Sequence, residues 1–170
     1  MDLDRFIRDV PDFPQKGIIF KDITPLLNDT QALAETVKRL SDTVSHDTIT
    51  RVVGIESRGF IFGSAVALEL GAGFVPVRKP GKLPGETLSE SYTLEYGTDS
   101  IEMHRDALTE KDRVLLIDDL LATGGTMKAA VSLVEQTGAA VVKIAFVIEL
   151  AFLKGRKKLA GYDITSILTY

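Results

Sequence analysis

A short segment in the second half of the sequence carries two acids, two glycines and two threonines. It follows the apolar run Val114–Ile117 and reads Asp118-Asp119-Leu120-Leu121-Ala122-Thr123-Gly124-Gly125-Thr126. At the start of a helix, free N–H groups and the helix dipole attract an anion, glycines let the backbone approach it, and hydroxyl groups add donors. The segment Ala122–Thr126 therefore predicts a phosphate site, with Asp118 and Asp119 one loop away, at the distance of sugar hydroxyls.

The same segment excludes two common nucleotide motifs. It has neither the GxxxxGK[ST] pattern of a P-loop nor the GxGxxG pattern of a dinucleotide site. A phosphate monoester such as a ribose 5-phosphate satisfies both the acids and the glycine turn. The simpler alternative is that the acids are turn residues and Thr-Gly-Gly-Thr is only a helix start. Adjacent strand residues point to opposite faces, so both carboxylates can reach one ligand only if the strand has already ended. We therefore expect the strand to end at Ile117.

The chain has the composition of an ordinary globular domain. Its 170 residues are 45% apolar and 26% charged, which predicts one domain, 1–170. Its longest apolar runs are shorter than the ~18 residues of a membrane span, and a net charge of −4 gives no positive field for nucleic acid. The absence of cysteine excludes thiolate metal sites, disulfides and a cysteine nucleophile. Acids at Asp2 and Asp4 are unlike a secretory signal, so we expect a mature cytoplasmic protein.

Apolar runs typical of strands alternate with segments typical of helices. The predicted strands are Val52–Ile55, Phe74–Val77, Val114–Ile117, Val141–Leu150 and Ile164–Leu168. The predicted helices are a surface helix that starts at Asp29 or Thr30 and carries Leu33, Val37, Leu40 and Val44, a helix buried on every side at Phe60–Leu70, and a helix with Met127, Ala130, Val131 and Val134 on one side. This alternation predicts an α/β domain with a mostly parallel five-stranded sheet, whose ligands bind at the carboxyl ends of the strands.

One stretch departs from this alternation. Residues 81–100 are polar and contain glycines, and the alternation of Tyr92, Leu94 and Tyr96 indicates a hairpin or a long flexible flap. Because long loops on compact domains commonly carry function, we expect this stretch to close over a ligand.

Together with the run before it, Asp118–Thr126 resembles the phosphoribosyl diphosphate (PRPP) binding motif of the type I phosphoribosyltransferases. Four more segments resemble the adenine-specific branch of that family, namely Phe13–Leu27, Gly54–Phe60, Arg78–Gly85 and Leu94–Gly97. The resemblance covers nearly the full length. It implies one domain with an N-terminal hood of helix and loop over the base (1–28) and a flexible β-hairpin flap (81–100). It also implies a purine salvage enzyme that transfers the 5-phosphoribosyl group from PRPP to adenine, giving AMP and diphosphate.

The resemblance assigns roles to matched positions. It implies that Ala122–Thr126 bind the 5-phosphate and that Asp118 and Asp119 hold the ribose hydroxyls. The residues implied to surround the diphosphate are Ser57, Arg58, Arg78, Lys79 and Lys82. Cationic groups lower a barrier most where negative charge develops, as on a departing diphosphate. Without the family pattern, this basic cluster could equally be a solvated group of charges. We expect that of a second basic run, Lys154–Lys158, which we interpret as a solvated helix end with no role.

The base site and the acid–base chemistry are also implied by the family pattern. Phe20, an aromatic residue in a Pro- and Gly-rich loop, would stack on adenine while backbone groups of Ile19 and Lys21 read the base edge. The alternative is that Phe20 anchors its loop to the core. Glu95 is the candidate acid/base at the purine imidazole, because a carboxyl group in a closed site has a raised pKa, and the Tyr96 hydroxyl would lie near the reacting centre. A role for Glu95 in orienting the base, and no role at all, both stay open.

The implied partners are the two small-molecule substrates, Mg²⁺ and a second copy of the chain. Mg²⁺ would be held mainly by substrate and water, with Asp118 and Asp119 touching it through water. The homodimer follows from type I relatives, which pair through the face near the diphosphate loop. Two alternatives remain: a xanthine or hypoxanthine-guanine phosphoribosyltransferase, and a PRPP-sensing regulator without catalysis. We assign no role to His46 or His104.

Overall fold

The computed structural model describes residues 1–45, 48–93 and 97–170. In chain order these form β1 (Arg8–Pro11), β2 (Ile19–Asp22), α1 (Thr24–Asn28), α2 (Thr30–Ser41), β3 (Arg51–Ile55), α3 (Arg58–Leu70), β4 (Gly73–Val77), β5 (Thr87–Thr93), β6 (Thr98–His104), β7 (Arg113–Leu121), α4 (Gly125–Gln136), β8 (Ala140–Glu149) and β9 (Ile164–Thr169). Short 3₁₀ segments lie at Asp4–Phe6, Ala151–Leu153 and Gly155–Leu159.

The centre of the fold is a five-stranded sheet in the order β4-β3-β7-β8-β9, and every neighbouring pair is parallel. The predicted α/β class and the five predicted strands are confirmed. One boundary is wrong: β7 does not end at Ile117 but continues in register with β8 until Leu121 lies opposite Glu149. The backbone pairing with β8 keeps the two acids inside the strand.

Both faces of the sheet are covered, as the continuous apolar run in β7 predicted. Val114 and Leu116 pack into the core that includes α4, whereas Leu115 and Ile117 pack into the core that includes α2 and α3. All four side chains are fully buried. The predicted inner face of α4 is confirmed by the burial of Met127, Ala130, Val131 and Val134. No helix in the described part of the chain is long and apolar enough to cross a bilayer.

The two helices on the other face follow the sequence less closely. The Oδ1 atom of Asp29 accepts a hydrogen bond from the Ala32 N–H at 2.8 Å, which makes Asp29 the N-cap of α2. That helix ends before Val44. The prediction that α3 is buried on every side is wrong, because Ile61 is 40% exposed and Leu68 is 84% exposed. A helix that packs on one face of a sheet buries one side only, and α3 keeps apolar residues on its outer side.

The described residues before and after positions 94–96 form a hairpin pair of strands. Strands β5 and β6 pair antiparallel, from Thr87 opposite His104 to Thr93 opposite Thr98. The hairpin therefore begins and ends later than the predicted range 81–100. Its second strand buries Met103 completely in the core, which fixes the base of the hairpin to the domain.

The N-terminal segment 1–28 differs from the predicted helix and loop because β1 and β2 form an antiparallel pair. Phe20, predicted to lie in a loop, belongs to β2. The Lys21 Nζ atom lies 3.7 Å from the centroid of the Tyr170 ring, and the Tyr170 hydroxyl donates a hydrogen bond to Asp4. Tyr170, the residue after β9, thus holds the N-terminal segment against the domain.

Candidate active site

The carboxyl ends of β3, β4 and β7 meet around one cavity of about 250 Å³, which we call the central cavity. Parallel strands present these ends at one edge of the sheet, where ligands bind in open α/β folds. The polar lining consists of Glu56, Ser57, Arg58, Lys79, Tyr92, Asp118, Asp119 and Thr126. All except Glu56 and Tyr92 are predicted site residues, so the structure brings together groups from three separate segments.

The predicted phosphate turn adjoins this cavity. After β7 the chain turns through Ala122–Gly124 and enters α4. Residues Ala122–Thr126 line a smaller space of about 80 Å³, which we call the turn recess. Asp118 and Thr126 line both the recess and the central cavity. One ligand can therefore extend from one space into the other.

Gly124 makes the close turn in front of the helix. Gly124 precedes α4 with φ of 80°, in the left-handed region that favours glycine. A Cβ atom on Gly124 would lie 2.6 Å from the carbonyl oxygen of Gly155. A Cβ atom on Gly155 would in turn collide with the carbonyl oxygen of Ala122. The two backbones touch, and neither position has room for a side chain.

This contact corrects the prediction that Lys154–Lys158 is a solvated helix end without a role. Gly155 is buried against the turn, and Arg156 donates to the buried Glu149 carboxylate from Nε at 2.8 Å and from Nη2 at 2.7 Å. The Arg156 hydrogen bonds lower the pKa of Glu149 despite its burial. The ion pair fixes the segment that supports the turn from behind. The glycine inside the basic run was the signal that sequence reasoning missed.

The two acids reach the same cavity from inside β7. Asp119 is 4% exposed, and its Oδ2 atom forms an ion pair with Arg58, 2.9 Å from Nε. The Asp119 backbone N–H donates to Asp118 Oδ1 at 2.9 Å. This bond turns the Asp118 carboxylate along the strand toward its neighbour. The expectation that both acids must lie beyond the strand is therefore wrong, because the local hydrogen bond overcomes the alternation of faces.

Both acids are held in surroundings that disfavour negative charge. Loss of water contacts and then the charge of Asp119 raise the pKa of Asp118 well above its usual value. Burial raises the pKa of Asp119 as well, although the positive charge of Arg58 acts in the opposite direction. Hydrogen bonds from the hydroxyl groups of a sugar would favour the charged form of both acids.

Glu56 organises part of the predicted diphosphate cluster. Its carboxylate accepts from Arg78 Nε and Nη2, both at 3.2 Å, from Lys82 Nζ at 2.5 Å and from the Lys79 N–H at 3.1 Å. Burial of Glu56 acts against ionisation, but the hydrogen bonds from Lys82, Arg78 and Lys79 lower the pKa of Glu56 to about 2. Arg78 and Lys82 therefore lie behind Glu56. Neither is among the described residues that line the central cavity.

Lys79 connects the Arg78–Lys82 segment to the hairpin formed by β5 and β6. Its ammonium group donates to the Tyr92 hydroxyl at 3.3 Å and to Asp99 Oδ2, while the Tyr92 hydroxyl donates to that oxygen at 3.2 Å. Burial would lower the pKa of Lys79, but the bonds to Asp99 and Tyr92 raise it overall. The Lys79 hydrogen bond lowers the pKa of Asp99. Sequence reasoning missed Tyr92 and Asp99, which no spacing connects to Lys79.

Phe20, one of the predicted base-binding residues, lies next to Arg58. The Phe20 ring packs edge-on against Phe13 with centroids 5.2 Å apart, and the Arg58 Cζ atom lies 5.3 Å from the Phe20 centroid. Ile19 is 58% exposed. Residues that alternate along a strand direct their backbone groups to the same edge, so Ile19 and Lys21 share one edge of β2.

Two predicted residues, Glu95 and Tyr96, lie outside the described residues, as does His46. His104 ends β6 away from the central cavity lining. Within residues 1–45, 48–93 and 97–170, no group of three or more Asp, Glu or His side chains could by itself hold a metal ion. The acidic pair offers at most two carboxylates to a cation.

Comparison with known proteins agrees with this architecture. Residues 25–167 match the phosphoribosyl transferase domain family. The chain is 56% identical over 168 residues to an adenine phosphoribosyltransferase of Halothermothrix orenii, covering 99% of each chain. The crystal structure of adenine phosphoribosyltransferase from Thermoanaerobacter pseudethanolicus superimposes with a TM-score of 0.96 at 53% identity, covering 99% of this chain and 98% of that one.

A third relative was solved with ligands bound. Adenine phosphoribosyltransferase from Saccharomyces cerevisiae, complexed with an imino-altritol bisphosphate and adenine, superimposes with a TM-score of 0.91 at 40% identity, covering 98% of this chain and 97% of that one. The family match spans most of the chain, and the named relatives align over nearly their whole length. The chain therefore belongs to the phosphoribosyltransferase family, in its adenine phosphoribosyltransferase branch.

Proposed function

We propose that this enzyme transfers the 5-phosphoribosyl group of PRPP to adenine, giving AMP and diphosphate for purine salvage. The observation that carries the proposal is that Asp118 and Thr126 line both the turn recess and the central cavity. A ribose lying across these two residues has its 5-phosphate in the recess and its anomeric carbon in the cavity. The adenine bound to the yeast relative supports adenine as the acceptor base.

The turn and the acidic pair hold the two ends of the sugar. Backbone N–H groups of Ala122–Thr126, at the start of α4, donate to the 5-phosphate together with the hydroxyls of Thr123 and Thr126. The ribose hydroxyls donate to Asp118 and Asp119. These contacts fix the anomeric carbon before the base attacks, which removes much of the entropic part of the barrier.

The chemical step exchanges one bond at the anomeric carbon. N9 of adenine forms a bond to this carbon as the bond to the diphosphate oxygen breaks, with inversion and through a cationic sugar like that of glycoside chemistry. Ser57, Arg58 and Lys79 line the cavity that receives the diphosphate and stabilise its growing negative charge. Arg78 and Lys82 add positive potential from behind Glu56, since two cations outweigh one carboxylate.

A divalent ion fits this site only if the substrate completes its shell. Asp118 and Asp119 present hard oxygen donors at the cavity, the kind that Mg²⁺ prefers, and they would hold the ion together with ribose and diphosphate oxygens and water. When bound, Mg²⁺ offsets negative charge on the diphosphate. The protein's own part remains the placement of the two carboxylates.

Phe20→Ala is expected to raise the KM for adenine about 10-fold or more, because stacking a base on an aromatic ring contributes ~1–3 kcal/mol. The KM for PRPP is expected to change less. Steady-state kinetics with each substrate varied in turn measures both. Phe152→Ala removes a phenylalanine that is 68% exposed and is the matched control, expected to change neither value. A larger effect of Phe20→Ala on PRPP than on adenine would remove Phe20 from the base site.

Glu95→Gln is expected to lower kcat by on the order of 10²–10⁴-fold, the usual contribution of an acid/base residue, and to leave PRPP affinity nearly unchanged. Glu95 accepts the N7 proton of adenine while the N9 lone pair attacks, and we assign the Tyr96 hydroxyl a role at the reacting centre. The pH profile of kcat separates chemistry from orientation, because only loss of an acid/base residue removes a titrating limb. An unchanged kcat would exclude the acid/base role.

The enzyme acts as a cytoplasmic homodimer, without membrane or nucleic-acid partners. Ile61 and Leu68 lie seven residues apart on α3 and are both exposed, so they occupy one face of that helix. Exposed apolar side chains of this kind are typical of a surface that a second copy covers. The same helix begins at Arg58, which lines the central cavity.

The reaction itself is tested by measuring diphosphate release from PRPP with adenine, guanine, hypoxanthine and xanthine in parallel. Adenine is expected to be preferred by roughly 10²-fold or more. A site whose polar groups hydrogen-bond to the edge of one base leaves those protein groups unpaired when another base binds. Comparable release with hypoxanthine or guanine would assign the enzyme to another purine branch. No release with any base would exclude the transfer.

A further inference from the structure

Lys79, Tyr92 and Asp99 form a cluster in which the Lys79 ammonium group donates to both of the other side chains. An ammonium group carries three protons, and Tyr92 and Asp99 accept two of those of Lys79. Lys79 and Tyr92 line the central cavity, whereas Asp99 is not among the described residues that line it. Among the described residues no third side chain or carbonyl accepts from this ammonium group, which leaves one proton for a ligand in the cavity.

We propose that Tyr92 and Asp99 are positioning residues that hold Lys79 in place to bind the departing diphosphate. This proposal rests on the proposed function, in which Lys79 binds diphosphate. A lysine side chain is long and flexible, so fixing it before binding reduces the ordering cost when the anion arrives. Asp99 anchors Lys79 on one side, and the Tyr92 hydroxyl bridges the two charged groups.

Asp99 is itself fixed from a second direction. Its Oδ1 atom accepts a hydrogen bond from the Ser100 N–H at 2.8 Å, which leaves Oδ2 for Lys79 and Tyr92. Tyr92 and Asp99 are cross-strand partners in the hairpin. Because each residue holds the other and the backbone holds Asp99, the cluster provides a rigid support for the ammonium group.

A backbone connection keeps the loop and the hairpin at a constant distance. The Arg78 N–H donates to the Glu102 carbonyl at 2.9 Å, and the Glu102 N–H donates to the Arg78 carbonyl at 2.7 Å. Arg78 is the chain neighbour of Lys79, and Glu102 lies in the same strand as Asp99. The cluster therefore links the Arg78–Lys82 segment to strands β5 and β6, which lie before and after Glu95 in the chain.

The test measures diphosphate binding by calorimetry, with PRPP and adenine kinetics alongside. Asp99→Asn is expected to weaken diphosphate binding about 10-fold and Tyr92→Phe about 3-fold, as expected for losing a hydrogen bond to a charged group. The KM for PRPP is expected to rise in parallel, with the KM for adenine unchanged. Asp163→Asn removes another lysine partner, since Asp163 accepts from Lys143 Nζ at 2.6 Å. It is the matched control and is expected to change none of these values.

A double-mutant cycle identifies the route of the effect. In a Lys79→Ala background, Asp99→Asn is expected to cause no further loss, since residues that act through one partner are not additive. Tighter diphosphate binding by Asp99→Asn alone would show that Asp99 competes for Lys79 and would overturn the proposal. An equal loss with and without Lys79 would overturn it too, because Asp99 would then act by another route.

The outcomes separate this proposal from the proposed function. If Lys79→Ala leaves diphosphate affinity unchanged, the assignment of Lys79 as a diphosphate ligand is wrong. If Lys79→Ala weakens binding but neither Asp99→Asn nor Tyr92→Phe does, only the positioning proposal is wrong. Thermal unfolding verifies that each variant folds. Should Asp99→Asn fail to fold, Tyr92→Phe keeps the ring in place and decides the question through the same cycle.

Discussion

Gly124→Ala is expected to lower kcat/KM for PRPP by on the order of 100-fold, because a shift of about 1 Å in a positioning group can cost that much in rate. The new Cβ atom would require a left-handed backbone, with φ of 80°, and would lie 2.6 Å from the Gly155 carbonyl oxygen. The turn must move to relieve this contact, and its N–H groups then no longer converge on the 5-phosphate. Calorimetry with AMP and steady-state kinetics measure the loss.

Gly71→Ala is the matched control for this change. Gly71 follows α3 with φ of 65°, also left-handed, but a Cβ atom there would meet nothing within 4 Å. The control is expected to destabilise the fold by ~1 kcal/mol and to leave AMP affinity intact. If Gly124→Ala bound AMP as tightly as Gly71→Ala does, the turn would not be the phosphate site.

Combined replacement of Asp118 and Asp119 by Asn is expected to weaken AMP and PRPP binding by on the order of 100-fold, because hydrogen bonds to charged groups contribute ~1.5–3 kcal/mol each. Binding of free adenine is expected to stay unchanged, since adenine lacks the ribose. Calorimetry with all three ligands gives the comparison. Equal losses for all three would point to misfolding and would contradict a specific role in holding ribose.

For the same double variant we expect binding to weaken but thermal stability not to fall. The raised pKa of both acids means that the folded protein holds their protons more tightly than the unfolded chain does. Their contribution to stability therefore falls as pH rises from the usual pKa of an aspartate through the raised values. At neutral pH the Asn variant is expected to unfold at a temperature no lower than the original protein. Stability that is kept or raised while binding is lost is characteristic of functional sites.

Local patterns in the sequence were sufficient to predict the sheet and the turn that precedes α4. The apolar run Val114–Ile117 predicted a strand covered on both faces, and the glycines between two threonines predicted the helix start that follows it. The end of that strand was not predictable, because it depends on pairing with β8, which lies about 30 residues farther along the chain. The place where a strand ends is decided by its neighbours in the sheet as well as by its own residues.

Long-range contacts explain the other differences. Glu56 and Arg78 are 22 residues apart, and no periodicity connects them, so the sequence identified the cations but not the acid that holds them. Gly155 supports the turn from a segment whose charges indicated only solvation. The N-terminal hairpin was missed because Pro14 and Gly17 between its strands indicate a loop more strongly than the short strands indicate pairing.

A crystal structure of the enzyme with AMP tests most directly whether the turn at Ala122–Thr126 binds the phosphate of a phosphorylated pentose. The phosphate is expected in the recess lined by Ala122–Thr126, the ribose hydroxyls within hydrogen-bond distance of Asp118 and Asp119, and the base beside Phe20. An empty recess with AMP bound elsewhere in the same crystals would contradict the assignment of the turn, and with it the proposed placement of PRPP.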